Sequence, residues 1–169
     1  MAEAARTLGN SSLAELMATP EGRQVVRRYA VDHLFFFARV VQKNPLMVED
    51  LHGPLCEFLE DPKAKKKLVL IPRGHLKTTL AAKDYAAWSY VKNHDVRVGI
   101  FSSTEDKAAD ILEGIKRSFH EDTATPMMKQ LFPECIVTRK WSNKKPWSKG
   151  TPLMPRNTHY AKENTFHAM

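Results

Sequence analysis

One stretch of this 169-residue chain decides the fold that the sequence predicts: residues 68–79, Leu-Val-Leu-Ile-Pro-Arg-Gly-His-Leu-Lys-Thr-Thr. Its first four residues, Leu68–Ile71, are all apolar, a pattern typical of a strand buried on both faces of a parallel sheet. The next five, Pro72–Leu76, predict a loop. Apolar residues at helical spacing then predict a helix over Lys77–Lys92. The stretch therefore predicts a strand, a loop and a helix in direct succession.

The same order of elements repeats further along the chain. Val96–Phe101 predicts a second buried strand, and Glu105–His120 predicts a helix with Thr104 as its N-cap. Strands that alternate with helices are typical of an α/β fold with a parallel sheet. A short helix at Pro126–Phe132 and strands near Ile136 and Leu153 complete the prediction for a domain over residues 63–169.

Residues 1–62 predict a separate helical region. Ser11 or Ser12 caps a first short helix, and Pro20, at the first helical position, opens a second that extends over Glu21–Gln42. Gly53-Pro54 is expected to start a third helix, Pro54–Glu60, which places His52 in the segment leading into it. The three consecutive phenylalanines at 35–37 point in different directions on a helix, so they are expected to lie in the core.

Composition favours a globular protein with an uneven positive charge. Lys and Arg outnumber Asp and Glu by 26 to 19, for a formal net charge of +7. The stretch Thr138–Lys162 has no acidic residue and seven basic ones, which suits contact with a phosphate backbone. A solvated surface loop is the alternative interpretation of this stretch. The basic residues are Arg139, Lys140, Lys144, Lys145, Lys149, Arg156 and Lys162.

The cysteines and the apolar runs indicate a reducing, cytosolic location. Cys56 and Cys135 are too few for a disulfide framework, and the N-terminus has no apolar signal-peptide core. The most apolar run, Leu34–Val41, is too short to span a bilayer. A zinc site at His52 and Cys56 is disfavoured, since Gly53-Pro54 separates them and no companion ligand is near in sequence.

The loop of the opening stretch has the residues that a phosphate site needs. Backbone N–H groups and a helix N-terminus attract anionic oxygens, and a lysine at the start of the helix reaches the β and γ phosphates. Lys77 is in that position, and the Thr78 hydroxyl follows it as a ligand for Mg²⁺. The loop therefore predicts binding of ATP with Mg²⁺.

The loop departs from the strict pattern G-x-x-x-x-G-K-[ST]. The two glycines of the pattern fall on Ile71 and Leu76 in this chain. The departure at Leu76 matters more, because the residue before the lysine often needs a backbone shape that glycine adopts most easily. Gly74 is expected to absorb part of that bend. An ordinary strand-to-helix turn with a surface lysine is the alternative interpretation.

Taken in order, several motifs resemble those of one family, the large terminase subunits of tailed bacteriophages, which drive DNA into preformed capsids. Several members carry a variant phosphate loop of the form P-R-G-x-x-K-[ST]-T, often with Gly where this chain has Leu76, and the similarity covers roughly Asp50–Met169. The matching motifs are Leu51-His52, Pro72–Thr79, Gly99–Thr104 with Ala108, Trp141-Ser142, Pro155-Arg156 and Asn164-Thr165-Phe166.

The resemblance implies a P-loop NTPase (RecA/ASCE-like) fold and assigns a role to each matching residue. Lys77 is implied to hold the β and γ phosphates, Thr78 to bind Mg²⁺, and Arg73 to act on the γ-phosphate as an arginine finger does. His52 is implied to lie near the adenine. The alternatives are a surface arginine in an ion pair and a packed histidine. The implied nucleotide-contacting loop residues are Pro72, Arg73, Gly74, His75, Leu76, Lys77, Thr78 and Thr79.

The resemblance also implies binding partners, and it implies an ATPase domain of which this sequence holds only the front part. Double-stranded DNA, a small terminase subunit and a portal protein are the implied partners, with a homo-oligomeric ring at full length, no membrane, and assembly in the cytoplasm of the infected host cell. No apolar strand ending in Asp-Glu, the Walker B pair of such ATPases, follows Lys77. We therefore expect the front part of an ATPase domain, without its nuclease domain and weakly active alone. A helicase-like P-loop NTPase and a non-catalytic nucleic-acid-binding adaptor are the alternative functions.

Overall fold

The computed structural model describes residues 13–138 and the backbone of residues 167–168, and within these ranges the chain is mostly helical. Helix accounts for 61% of the structure and strand for 3%. The α-helices are α1 (Leu13–Ala18), α2 (Pro20–Asp32), α3 (Leu34–Phe36), α4 (Glu49–Glu60), α5 (Tyr85–Lys92), α6 (Glu105–Arg117) and α7 (Pro126–Leu131). The other elements are π-helical turns π1 (Phe37–Val41) and π2 (Thr79–Asp84), a 3-10 turn (Pro133–Cys135), and strands β1 (Gly99–Ile100) and β2 (His167–Ala168).

The predicted start of α2 is confirmed, but its length is wrong. The Thr19 hydroxyl accepts a hydrogen bond from the Gly22 N–H at 3.0 Å, as an N-cap does. The helix ends at Asp32, because His33 adopts an extended conformation with φ −129°. The chain then restarts as α3, whose Leu34 N–H donates to the Glu60 carboxylate at 2.5 Å. That cap comes from α4, 26 residues away, so local sequence could not predict it.

Helix α4 begins five residues before the predicted start at Pro54. Glu49 and Asp50 occupy its first turn, where carboxylates are favoured by the helix dipole. His52 therefore lies inside the helix, and its Nδ1 accepts from the Val48 N–H at 2.9 Å. Pro54 is accommodated within the helix. The Lys67 ammonium donates to the carbonyls of the last turn and holds the following chain against the helix end.

The predicted α/β fold with a RecA/ASCE-like parallel sheet is wrong. Residues 68–71 form no strand, and the only sheet in the ranges described is a two-residue parallel pairing between β1 and β2. Leu68 is 77% exposed and Leu70 is 81% exposed, whereas Val69 and Ile71 pack against the core. This alternation places helices against one side of the segment only. An unbroken apolar run was therefore a misleading sign of burial on both faces.

The hydrophobic core lies between helices instead. The indole N–H of Trp88, on α5, donates to the Ala30 carbonyl of α2 at 3.2 Å, which fixes these two helices together. Phe37 is fully buried, and Phe35 and Phe36 pack against the core, so the predicted core position of this cluster is confirmed. The largest fully buried side chains include Tyr90, Phe37, Phe119, Phe132, Leu34, Met47, Leu80 and Leu112.

The C-terminal predictions are confirmed in part. Thr104 caps α6 by accepting from the Lys107 N–H at 3.4 Å, although the helix ends at Arg117 rather than His120. Thr125 caps α7, one residue shorter than predicted. In place of a strand near Ile136, the chain has a single parallel bridge between His120 and Val137. The strand near Leu153 and the cap at Ser11 or Ser12 lie outside the described residues.

Substitution of Gly22 tests the packing of α1 against α2. A Cβ at this position would lie 2.7 Å from the carbonyl carbon of Leu16 and closer still to its oxygen, so the backbones would have to separate. We expect Gly22→Ala to lower the free energy of unfolding by roughly 1–3 kcal/mol, the usual cost of overpacking. Chemical denaturation measures this change in the free energy of unfolding.

Gly53→Ala is the matched control for this prediction. Gly53 is also helical, but its nearest neighbour to a new Cβ is the Glu49 side chain at 3.8 Å, an ordinary contact. The control is expected to change stability by less than about 1 kcal/mol. Equal stability losses in the two variants would contradict the close packing at Gly22.

Candidate phosphate-binding loop

The loop between Ile71 and Lys77 turns back on itself around the lysine ammonium. Lys77 Nζ donates a hydrogen bond of 2.9 Å to the carbonyl oxygen of Ile71, six residues earlier. Two residues with positive φ make the turn possible, Gly74 at +87° and Leu76 at +51°. The ammonium is thus held against the backbone of the loop rather than extended into solvent.

A helix begins directly after the loop, as predicted. The Leu80 N–H donates to the Leu76 carbonyl at 2.8 Å, which is the first helical hydrogen bond. Lys77 and Thr78 are helical, and π2 and α5 continue the helix to Lys92. The first N–H groups of any helix have no acceptor within the helix and carry a partial positive charge. The helix N-terminus therefore adds to the positive charge of Lys77 at the loop.

Leu76, which stands where the strict pattern has its second glycine, adopts a left-handed backbone conformation. Its φ of +51° lies in the left-handed region, which costs a non-glycine residue on the order of 1 kcal/mol. The side chain is half-buried and packs against the core, which offsets part of this cost. A Cβ on Gly74 would meet nothing within 4 Å, so glycine is needed there for its φ and not for space.

The remaining loop residues present polar groups at the surface. Pro72, Arg73 and Gly74 are exposed, and so is Thr78 beyond the lysine. His75 is half-buried, and its Nδ1 lies 3.1 Å from the Arg73 carbonyl. Arg73 and the Thr78 hydroxyl are thus accessible to a ligand, and their roles on the γ-phosphate and on Mg²⁺ stay predictions.

Unlike the loop residues, His52 is buried inside a helix. Its ring is only 3% exposed, and its Nδ1 is engaged at the start of α4. The same Nδ1 also lies 3.0 Å from the Val48 carbonyl oxygen, so its role as donor or acceptor depends on the tautomer, and Nε2 is a buried atom that has no hydrogen-bond partner among the described residues. This ring offers little surface to an adenine in the described conformation. Its adenine role stays a prediction, and its visible role is to cap α4.

Asp84, at the end of π2, is a buried acid that the sequence reading did not single out. It is 6% exposed, and its Oδ2 has no hydrogen-bond partner in the described structure. Burial raises the pKa of this carboxyl from 3.8 to about 7, against smaller opposing effects of a hydrogen bond from Asn44 and the charge of Lys83. It lies on the helix that begins at the loop.

The two π-helical turns are a second feature that the sequence did not predict. π1 packs against π2, and the Asn44 side chain that follows π1 bonds the Asp84 carboxyl. A π-turn adds one residue to a helical turn, and such turns are frequent at functional sites. Helical periodicity cannot reveal them, since the apolar spacing of a π-turn and an α-turn differs by a single residue.

The basic stretch Thr138–Lys162 lies outside the described residues beyond Thr138 itself, and so do the Trp141, Arg156 and Asn164 motifs. Among the described helices, none has the length and apolar character to cross a membrane. In comparisons with known proteins, no family model, no curated protein and no solved structure matches this chain.

The raised pKa of Asp84 predicts how stability depends on pH. The folded state retains the Asp84 proton up to about pH 7, whereas the unfolded state loses it near pH 4. Stability contributed by this group is therefore lost as pH rises from 4 to 7, by up to about 1.4 kcal/mol per pH unit. We expect Asp84→Asn to flatten this fall.

Denaturant unfolding at pH 4, 5, 6, 7 and 8 checks the prediction. Asp95→Asn is the control, because Asp95 is exposed. A difference in stability between Asp84→Asn and wild type that stays constant across this range would contradict a buried, proton-retaining Asp84.

Proposed function

We propose that Ile71–Thr78 binds the triphosphate of ATP with Mg²⁺, and that the chain is the ATP-binding part of a viral DNA-packaging motor of the large-terminase type. The observation that carries the proposal is the loop that closes around Lys77. The Lys77 ammonium donates to the Ile71 carbonyl, and a helix N-terminus lies behind the loop. The order of motifs in the sequence supplies the link to terminases.

The loop geometry suggests how nucleotide is bound. The neutral carbonyl of Ile71 holds the Lys77 ammonium at 2.9 Å, and a phosphate oxygen is a stronger acceptor because the hydrogen bond joins two charged groups. ATP is therefore expected to take the ammonium from the carbonyl. The positive φ of Gly74 and Leu76 turns the backbone, so that neighbouring N–H groups can face the same anion.

Thr78 and Arg73 would complete the site. Mg²⁺ prefers oxygen ligands, and the exposed Thr78 hydroxyl directly follows the lysine, as in phosphate loops that hold this ion. The ion would neutralise charge between the β and γ phosphates. Arg73 is exposed one residue before Gly74, where its guanidinium can pair with the γ-phosphate and stabilise charge that develops during transfer.

Hydrolysis by this chain alone is expected to be slow. ATPases of this class position the attacking water with a glutamate next to the aspartate that orders Mg²⁺. No apolar run after Lys77 ends in such an Asp-Glu pair. We therefore propose that the chain binds ATP and needs acids from elsewhere for rapid turnover.

The proposed partners follow from the terminase resemblance and the charge pattern. The basic stretch Thr138–Lys162 suits double-stranded DNA, and a packaging role adds a small terminase subunit, a portal protein, a homo-oligomeric ring and the host cytoplasm. The second candidate function is a nucleic-acid-binding adaptor without turnover. The observation that favours it is the basic stretch in a sequence without the Asp-Glu pair.

Lys77→Ala tests the phosphate-loop assignment. The substitution removes the ammonium that the loop encloses, so we expect Mg-ATP to bind at least tenfold more weakly, a loss of about 1.4 kcal/mol or more. Isothermal titration of the full chain measures the affinity. Lys92→Ala is the matched control, because Lys92 is exposed at the other end of the same helix. Unchanged affinity in Lys77→Ala would refute ATP binding by this loop.

Double substitution of Lys144 and Lys145 by Gln tests DNA binding by the basic stretch. Each phosphate contact contributes a slope of about −0.9 to the dependence of log affinity on log salt concentration. If both lysines contact phosphates, the slope should become shallower by about 2. Lys65 and Lys66, exposed elsewhere, supply the control pair. Fluorescence anisotropy with duplex DNA at several salt concentrations measures the slope for the test pair and for the control pair. Identical slopes in all variants would exclude the basic stretch as the contact with DNA phosphates.

A further inference from the structure

A compact set of three side chains, of types that can bind a metal ion, lies outside the phosphate loop. It consists of His94, just after α5, and of Glu134 and Cys135 in the 3-10 turn. One ligand atom from each residue, the imidazole nitrogen, the thiol sulfur and a carboxylate oxygen, lies within 4.8 Å of the other two. His94 and Cys135 are 41 residues apart, so only the fold brings them together.

The separation of the two softer ligands matches that of a tetrahedral zinc site. His94 Nε2 and Cys135 Sγ are 3.4 Å apart. Zinc bonds of about 2.0 Å to nitrogen and about 2.3 Å to sulfur place two such atoms roughly 3.5 Å apart at the tetrahedral angle. An ion can therefore be accommodated with little movement of either side chain. In the absence of metal, the same distance suits a weak hydrogen bond between thiol and imidazole.

The third ligand is already oriented by an arginine. Both guanidinium nitrogens of Arg27 contact the Glu134 carboxylate, and Arg27 also donates to the Leu131 carbonyl at 2.9 Å. Each carboxylate oxygen has a second lone pair, so the arginine leaves acceptor capacity for an ion. Outer partners of this kind commonly fix the orientation of metal-ligating carboxylates.

The three side chains of the cluster are buried to different extents, which suits a site with three protein ligands and one water. Cys135 is fully buried, whereas His94 and Glu134 are each half-buried. The sulfur would thus lie on the inner side of the ion, and solvent would have access from the outer side. Sulfur, nitrogen and carboxylate oxygen together favour zinc over magnesium or calcium, which prefer oxygen ligands alone.

We propose that His94, Glu134 and Cys135 form a zinc site with a water molecule as the fourth ligand. Zinc there joins the end of α5 to the 3-10 turn and, through Arg27, to α2. This site is independent of the phosphate loop, and Lys77→Ala should leave it intact.

Cobalt provides the direct test, because tetrahedral Co²⁺ absorbs visible light and a bound thiolate adds a charge-transfer band in the near ultraviolet. The full chain, first freed of metal with a chelator, is titrated with Co²⁺ and then with Zn²⁺. We expect one Co²⁺ per chain, both absorption features, and loss of both when Zn²⁺ displaces the cobalt. Zinc should also raise Tm by roughly 5–11 °C at a hundredfold excess over Kd.

Two variants and one control assign the ligands. Cys135→Ser should remove the charge-transfer band, and His94→Gln should weaken Co²⁺ binding at least tenfold. Cys56→Ser is the matched control, since Cys56 is the other buried free cysteine and lies outside the cluster. It should bind cobalt as the wild type does.

The proposal is overturned if wild-type protein binds no stoichiometric Co²⁺, if the spectrum survives in Cys135→Ser, or if it is lost in Cys56→Ser. Circular dichroism establishes whether each variant folds. If Cys135→Ser does not fold, His94→Gln decides the matter: this residue is half-buried, and wild-type affinity in a folded His94→Gln protein would overturn the site.

Discussion

The hydrogen bond from the Lys77 ammonium to the Ile71 carbonyl constrains the whole candidate site. The contact joins residues six apart in sequence, and the backbone between them turns with positive φ at Gly74 and Leu76. The same turn sets the point at which the helix begins, and so determines where its unpaired N–H groups face.

The helical core supports the loop through long-range contacts. Such contacts cannot be predicted from neighbouring residues in the sequence. Trp88 of the loop's helix donates to Ala30, and Glu60 caps α3 across 26 residues. Features set by neighbouring residues were predictable: the Thr19 and Thr104 caps, the loop, and the helix to Lys92. The apolar run at 68–71 was misjudged, because hydrophobicity alone does not show which layers cover a segment.

The same difference between local and long-range contacts explains why some candidate sites could be predicted from the sequence and others could not. The phosphate loop is continuous in sequence, so its residues could be proposed from spacing. His94 and Cys135 are brought together by folding, and Asp84 gains its raised pKa only from burial. His52 contacts the backbone at the start of α4 through its Nδ1, because that helix begins five residues before the predicted start.

Leu76 shows why a mismatch to a residue pattern does not by itself exclude phosphate binding. A phosphate interacts with N–H groups and with the lysine, and a glycine in the pattern matters for the backbone shape that it allows. In this chain a leucine holds that shape at φ +51°, with its side chain packed on the core. The strain of about 1 kcal/mol is small beside the stability of a typical domain. A leucine at the second glycine position therefore does not by itself exclude phosphate binding, and the proposed function would depend on Lys77 and the N–H groups around it.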